Sequence, residues 1–128
     1  MQIEDIAGTV DALRRLGVRV VLIGQSPIFP FEYPEAYLYS SGGAQQPGLT
    51  YEAPLDAAPD INDRMSAAAR ADVFFDPLAL LCRRAQCVLK ERGLYLFADH
   101  GHYTDAGSIR VVAALLSQLR NSTPTGSR

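Results

Sequence analysis

The chain has 128 residues, enough for one domain with a core or for part of one. With 48% hydrophobic and 20% charged residues it has the composition of an ordinary globular protein, and a net charge of −2 with no basic run gives no reason to expect nucleic acid or an anionic membrane as partner. The longest strongly apolar run, residues 18–23, is interrupted by Arg19 and is far short of the roughly 20 residues of a membrane span. The opening Met-Gln-Ile-Glu-Asp lacks the features of a signal peptide, so a protein acting outside the cytoplasm would need an export signal upstream.

Ile3, Ile6, Ala7, Val10, Leu13 and Leu16 recur at helical spacing, with charged residues on the other faces, and Gly17 is placed to end that helix. Residues 18–23 read as a buried strand, terminated by Gly24-Gln25-Ser26-Pro27. A helix followed by a β-branched strand is half of a βαβ unit. No strand precedes the helix. The expectation is a chain that enters its domain partway, leaving a raw apolar sheet edge near residues 18–23.

Residues 28–59 are rich in Pro, Gly, Tyr and Ser and show little periodicity, which suggests a functional loop or an insertion. Helical character returns over residues 59–71, with Asp60 a candidate N-cap. Val73-Phe74-Phe75 reads as a short buried strand running into Asp76-Pro77, and residues 78–81 as one helical turn. Residues 94–98 read as another strand, delivering the chain to Asp99-His100-Gly101-His102. Thr104 can cap a last helix whose apolar face is Ile109, Val112, Ala113, Leu116 and Leu119; from Asn121 the chain is polar. Alternating helices and strands predict an α/β layered fold with a small, mainly parallel sheet. Chemistry in such sheets gathers at the carboxyl ends of strands, where residues 24–26, Asp76 and residues 99–102 all fall.

Asp99 and His102 carry the clearest chemistry. A carboxylate three residues before a histidine, in a strand-to-helix turn, can accept a hydrogen bond from the imidazole, fix its tautomer and stabilise the imidazolium, as a serine-activating base requires. A surface Asp and His in a polar turn is the plainer reading of the same spacing. Asp99, His100 and His102 also suggest metal ligands, with Asp76 a possible fourth, but alternate residues in a turn rarely complete a tetrahedral site. Cys82 and Cys87, with four residues between them, fit neither zinc-finger nor Cys-x-x-Cys spacing; two small buried thiols is the simplest account. The aromatic residues Phe29, Phe31, Tyr33, Tyr37, Tyr39 and Tyr51 could stack on sugars, although such residues more often pin a loop to the core.

The segment Asp99-His100-Gly101-His102-Tyr103-Thr104-Asp105-Ala106-Gly107 resembles the last motif of the SGNH hydrolase superfamily. More closely it resembles the SGNH domain fused behind the membrane acyltransferase 3 family of bacterial O-acetyltransferases. There, a cysteine pair and a Leu-Tyr-type strand precede the motif, as Cys82, Cys87 and Leu94-Tyr95 do here. Val20-Val21-Leu22-Ile23-Gly24-Gln25-Ser26-Pro27 is similar to an earlier strand and turn of that family. The family's Gly-Asp-Ser nucleophile block does not occur in this chain, its oxyanion-hole glycine and asparagine blocks are not recognisable, and Ser26 matches no nucleophile position.

The resemblance implies that residues 1–120 are the C-terminal portion of an SGNH-like domain, an incomplete three-layer, flavodoxin-like α/β unit, with residues 121–128 a flexible tail. It implies O-acyl transfer or hydrolysis on a cell-envelope saccharide, with His102 as general base and acid, Asp99 as its orienter, and a serine from outside this chain as acyl carrier. The implied partners are a saccharide acceptor and a membrane acyltransferase domain, fused upstream or separate, with no cofactor and no nucleic acid. A periplasmic or extracellular location follows from the same resemblance. There Cys82 and Cys87 would close a short disulfide, worth roughly 2 kcal/mol in the chain-entropy model. Without the serine, a remnant that binds saccharide or protein is the alternative.

Overall fold

The structure, a computed structural model, describes residues 3–30, 51–56 and 60–122, with the backbone alone over residues 51–54. In chain order the elements are α1 (Ile3–Arg15), β1 (Val21–Ile23), β2 (Tyr51–Pro54), α2 (Ile61–Ala69), β3 (Val73–Phe75), α3 (Pro77–Leu81), β4 (Cys82–Arg83), β5 (Gln86–Glu91), β6 (Leu94–Tyr95) and α4 (Asp105–Asn121). This is an α/β fold with two small sheets. β1 and β3 pair in parallel, Val21 opposite Val73 and Ile23 opposite Phe75. β2, β5 and β4 form an antiparallel sheet, and β6 adds to β5.

The antiparallel sheet, which the periodicity of the sequence did not announce, is folded by two tight hairpins. Arg84 and Ala85 (φ 48° and 64°) link β4 to β5, and Arg92 and Gly93 (φ 51° and 79°) link β5 to β6. Both are two-residue loops with two successive positive φ values, the turn whose twist matches that of the strands it joins. Only Gly93 is the residue type such turns favour, so the first hairpin carried no glycine signal. The strand expected over residues 94–98 is correspondingly short: Leu94 and Tyr95 pair with β5, and Phe97 then makes a single antiparallel bridge to Tyr103.

The main core lies between this sheet and the start of α4. Phe29, Leu81, Cys87, Leu89, Leu96 and Phe97 are buried together, with Tyr103 and Val111 packed against them. Phe29 and Phe97 meet edge to face at 4.9 Å between ring centroids. Phe29 thus pins the loop to the core; Phe31, Tyr33, Tyr37 and Tyr39 lie outside the described residues, as does the side chain of Tyr51. Cys82 and Cys87 face each other across β4 and β5 and are joined by a disulfide.

The parallel side is thinner. α1 packs on α2, with Val10 and Ala69 buried, and Gly17 (φ 77°) ends α1. The strand expected to be buried over residues 18–23 is β1, which among the described residues pairs only with β3 and has Val21 and Ile23 37% and 50% exposed. A strand bonded on one side only leaves half its surface uncovered. The apolar face expected of the last helix is also outside the core: Ile109, Val112 and Leu116 are 70%, 49% and 51% exposed, because the two-stranded sheet is too narrow to lie beneath that stripe. Asp60 precedes α2 without making a side-chain cap. α4 runs through Asn121, where the flexible tail was expected to begin, and residues 123–128 lie outside the described residues. No described helix is long and apolar enough to cross a membrane.

Candidate active site

Residues 98–104 form a turn held at both ends. The Ala98 amide donates to the His102 carbonyl at 2.8 Å, and the Thr104 amide donates to the Leu96 carbonyl at 3.0 Å. Thr104 Oγ1 donates to the Tyr95 carbonyl at 2.6 Å and accepts from the Gly107 amide at 3.1 Å, so one hydroxyl caps α4 and ties it to β6. Gly107 makes this approach possible: a Cβ there would lie 1.9 Å from the Leu96 carbonyl oxygen. Behind the turn, Tyr103 packs on Phe97 at 5.0 Å between centroids. The Phe29 amide donates to the His100 carbonyl at 2.8 Å, fastening the loop after β1 to the same turn.

Within the turn the two residues expected to act together do meet. Asp99 Oδ1 accepts from the Gly101 amide at 2.9 Å and the His102 amide at 2.8 Å. Asp99 Oδ2 stands 2.7 Å from His102 Nδ1, with Oδ1 at 3.0 Å from the same nitrogen. The carboxyl of Asp99 is held down at about pKa 2, first by the Gly101 amide, then by the His102 amide and the His102 ring. It is an anion at any physiological pH. An anion against Nδ1 places the ring proton there and leaves the Nε2 lone pair available as a base. The His102 side chain is 80% exposed, so Nε2 opens outward. Among the described residues no serine, threonine or cysteine is hydrogen-bonded to it. The turn supplies an oriented base and no nucleophile.

His100 stands 6.4 Å from His102, ring centroid to ring centroid. No group of three or more His, Cys, Asp or Glu side chains is arranged to hold a metal ion among the described residues. Asp76, the suggested fourth ligand, is instead the N-cap of α3, accepting from the Leu78 and Ala79 amides at 2.9 and 3.1 Å.

Asp76 also accepts from Asn62 Nδ2 at 2.5 Å. Asn62, 1% exposed, grips Gln25 at both backbone groups, accepting from its amide at 2.6 Å and donating to its carbonyl at 2.9 Å. A Cβ at position 24 would come within 2.7 Å of the Asn62 side chain, so the strand-end turn needs Gly24 for this latch to close. Periodicity cannot find such a residue. Asn62 looks like any polar position near a helix start, and only the fold brings it beneath β1. Ser26, next in that loop, lies close enough to Tyr103 to pull its phenol's pKa downward but not to form a hydrogen bond; burial prevails and pushes the phenol above the ordinary tyrosine value. Ser26 makes no hydrogen bond to His102.

A family model described as the SGNH domain fused to AT3 domains matches residues 1–117, from before α1 to within α4. No curated protein and no solved structure gives a significant match.

Proposed function

Because the chain belongs to the family of SGNH domains fused to AT3 domains, which are acyltransferase- and esterase-type domains, we propose that it provides the acid–base half of an O-acyl transfer site acting on acyl esters of cell-envelope saccharides. The observation that carries this reading is the orientation of His102, with Nδ1 held 2.7 Å from Asp99 and Nε2 turned outward. In the reaction a serine hydroxyl from outside this chain gives its proton to Nε2 as its oxygen attacks the acyl carbonyl. The imidazolium, stabilised by Asp99, returns the proton to the departing alkoxide, which leaves an acyl-serine. A saccharide hydroxyl then gives its proton to the same nitrogen as its oxygen attacks the acyl-serine carbonyl; the serine oxygen leaves, takes that proton back from the imidazolium, and is a hydroxyl again, and water in place of the saccharide makes the reaction hydrolysis.

The Cys82–Cys87 disulfide supports a location on the periplasmic or extracellular face, where such bonds persist. A membrane acyltransferase domain is the natural source of the acyl group. The test is His102→Ala in the acyltransferase that carries this domain. Transfer is expected to fall by several powers of ten, with protein level unchanged. Transfer at the parent rate would refute the assignment.

One observation favours a second reading, in which the chain binds saccharide or protein and performs no chemistry: Gly-Asp-Ser is absent from the sequence. In that case His102→Ala in the intact protein is silent, and acyl transfer proceeds at the parent rate.

A further inference from the structure

The Asp99–His102 turn is tied to the loop after β1 through peptide groups set end to end. The peptide between His100 and Gly101 is bonded on both sides: its carbonyl accepts from the Phe29 amide at 2.8 Å, and its N–H donates to Asp99 Oδ1 at 2.9 Å. The peptide between Ile28 and Phe29 is bonded in the same way. Its carbonyl accepts from the Asp56 amide at 2.9 Å, and its N–H is the donor to His100. In a trans peptide the carbonyl and the N–H point in opposite directions, so fixing one sets the aim of the other. The two units therefore form a relay running from Asp56 to the Asp99 carboxylate, which stands 2.7 Å from His102 Nδ1. Both N–H ends, the positive ends of the peptide dipoles, point toward that anion. Hydrogen bonds in such a series polarise one another. Phe29 fixes the middle of the relay, because its side chain is 2% exposed and its ring meets Phe97 edge to face at 4.9 Å.

We propose that Phe29 is a positioning residue for His102: its buried ring holds its amide where the relay aims the Gly101 N–H at Asp99, and Asp99 at the imidazole. This deepens the acyl-transfer reading and rests on it for its catalytic meaning. Phe29 touches neither substrate nor His102 in this role; it acts through the His100 carbonyl. The Gly101 amide is the first cause of the low pKa of Asp99, and His102 is the titratable group that acts on that carboxyl. A change in Asp99 therefore reads the turn itself. Asn62 holds the start of the same loop by gripping Gln25, four residues before Phe29. A ring that only filled the core would leave Asp99 and His102 unaltered when the Phe29 N–H alone is removed.

The experiment removes that N–H and keeps the ring, by incorporating phenyllactic acid at position 29 so that the amide becomes an ester. Magnetic resonance of the 128-residue chain is the first readout, since it needs neither the serine nor a substrate. The Asp99 midpoint is expected to rise from about 2 toward 3.8, and the neutral His102 ring to gain the Nε2–H form at the expense of Nδ1–H. Asp56→Pro, at an exposed position, deletes the first N–H of the relay by ordinary mutagenesis and should move both signals the same way by less. Val10→Ala, which loosens the buried contact of α1, should move neither. In the parent chain a scalar coupling should cross the hydrogen bond from the Phe29 nitrogen to the His100 carbonyl carbon. In the intact acyltransferase the ester should lower kcat roughly tenfold to a hundredfold and leave the KM of the acceptor unchanged. Absence of the coupling, an Asp99 and His102 indifferent to the ester and to Asp56→Pro, or equal shifts from Val10→Ala would each overturn the proposal. A parent kcat in the ester variant, where His102→Ala abolishes transfer, would overturn it alone; a silent His102→Ala would overturn the acyl-transfer reading and with it the catalytic role of Phe29.

Discussion

The two sheets of this small protein are built to different standards. Around β5, the strand is paired along both sides, two tight hairpins tie it to β4 and β6, the disulfide joins β4 to β5, and Phe29, Phe97 and Leu96 are 2% exposed. Around β1, the strand is three residues long and among the described residues paired on one side, and α4 leaves Ile109 and Leu116 70% and 51% exposed. The Asp99–His102 turn is suspended from the first region through Phe97, Tyr103 and Thr104. Its imidazole is therefore held by the well-packed half, while the His102 side chain itself is 80% exposed. In the proposed reaction a histidine so placed would benefit, because a tautomer set by a rigid second residue needs no reorganisation.

The sharpest way to break the contrast is to remove packing from each half in turn. Phe97→Ala removes the ring between Phe29 and Tyr103 and is expected to cost about 3–5 kcal/mol, read as a fall in the urea midpoint. Val112→Ala, at a site 49% exposed, is expected to stay within about 0.5 kcal/mol. Equal losses at both positions would mean that the α4 stripe is covered in solution.

Glycine substitutions sharpen the comparison with opposite signs. Gly107→Ala forces α4 off the Leu96 carbonyl and is expected to destabilise by about 3 kcal/mol. Gly8→Ala, in mid-α1 with nothing within 4 Å of the added methyl, is expected to stabilise by about 0.5–1 kcal/mol. Urea melts of the two variants check both.

The smallest effect is confined to the turn itself. The pKa of Asp99 is lowered from 3.8 to about 2, so the structure its carboxylate supports is fully present above the unfolded value and is lost as pH falls through about 2. The Gly101 amide resonance should titrate with a midpoint near pH 2. A midpoint near 4 would mean that the carboxylate is not held by the Gly101 and His102 amides.

Much of the fold was legible in local chemistry. Thr104 caps α4, Gly17 closes α1, Val73-Phe74-Phe75 is a strand, and Asp99 and His102 meet, because each depends on residues within a few positions of one another. The hairpins at Arg84-Ala85 and Arg92-Gly93 were missed because residues other than glycine occupy most of their left-handed positions. The burial of residues 18–23 and of the α4 stripe was expected from apolar pattern alone. Pattern states what a face could bury and is silent on whether anything lies opposite.

The sequence by itself determined the oriented base, since a carboxylate three residues before a histidine in a turn needs only local hydrogen bonds to find it, and it determined the α/β character through the period of its apolar residues. The tertiary structure alone decided that Asn62 latches Gln25, that Gly107 lies against Leu96, and that β1 pairs with β3. Those contacts join residues tens of positions apart or depend on the path of the backbone between them, and no local preference encodes which surface a distant segment will meet.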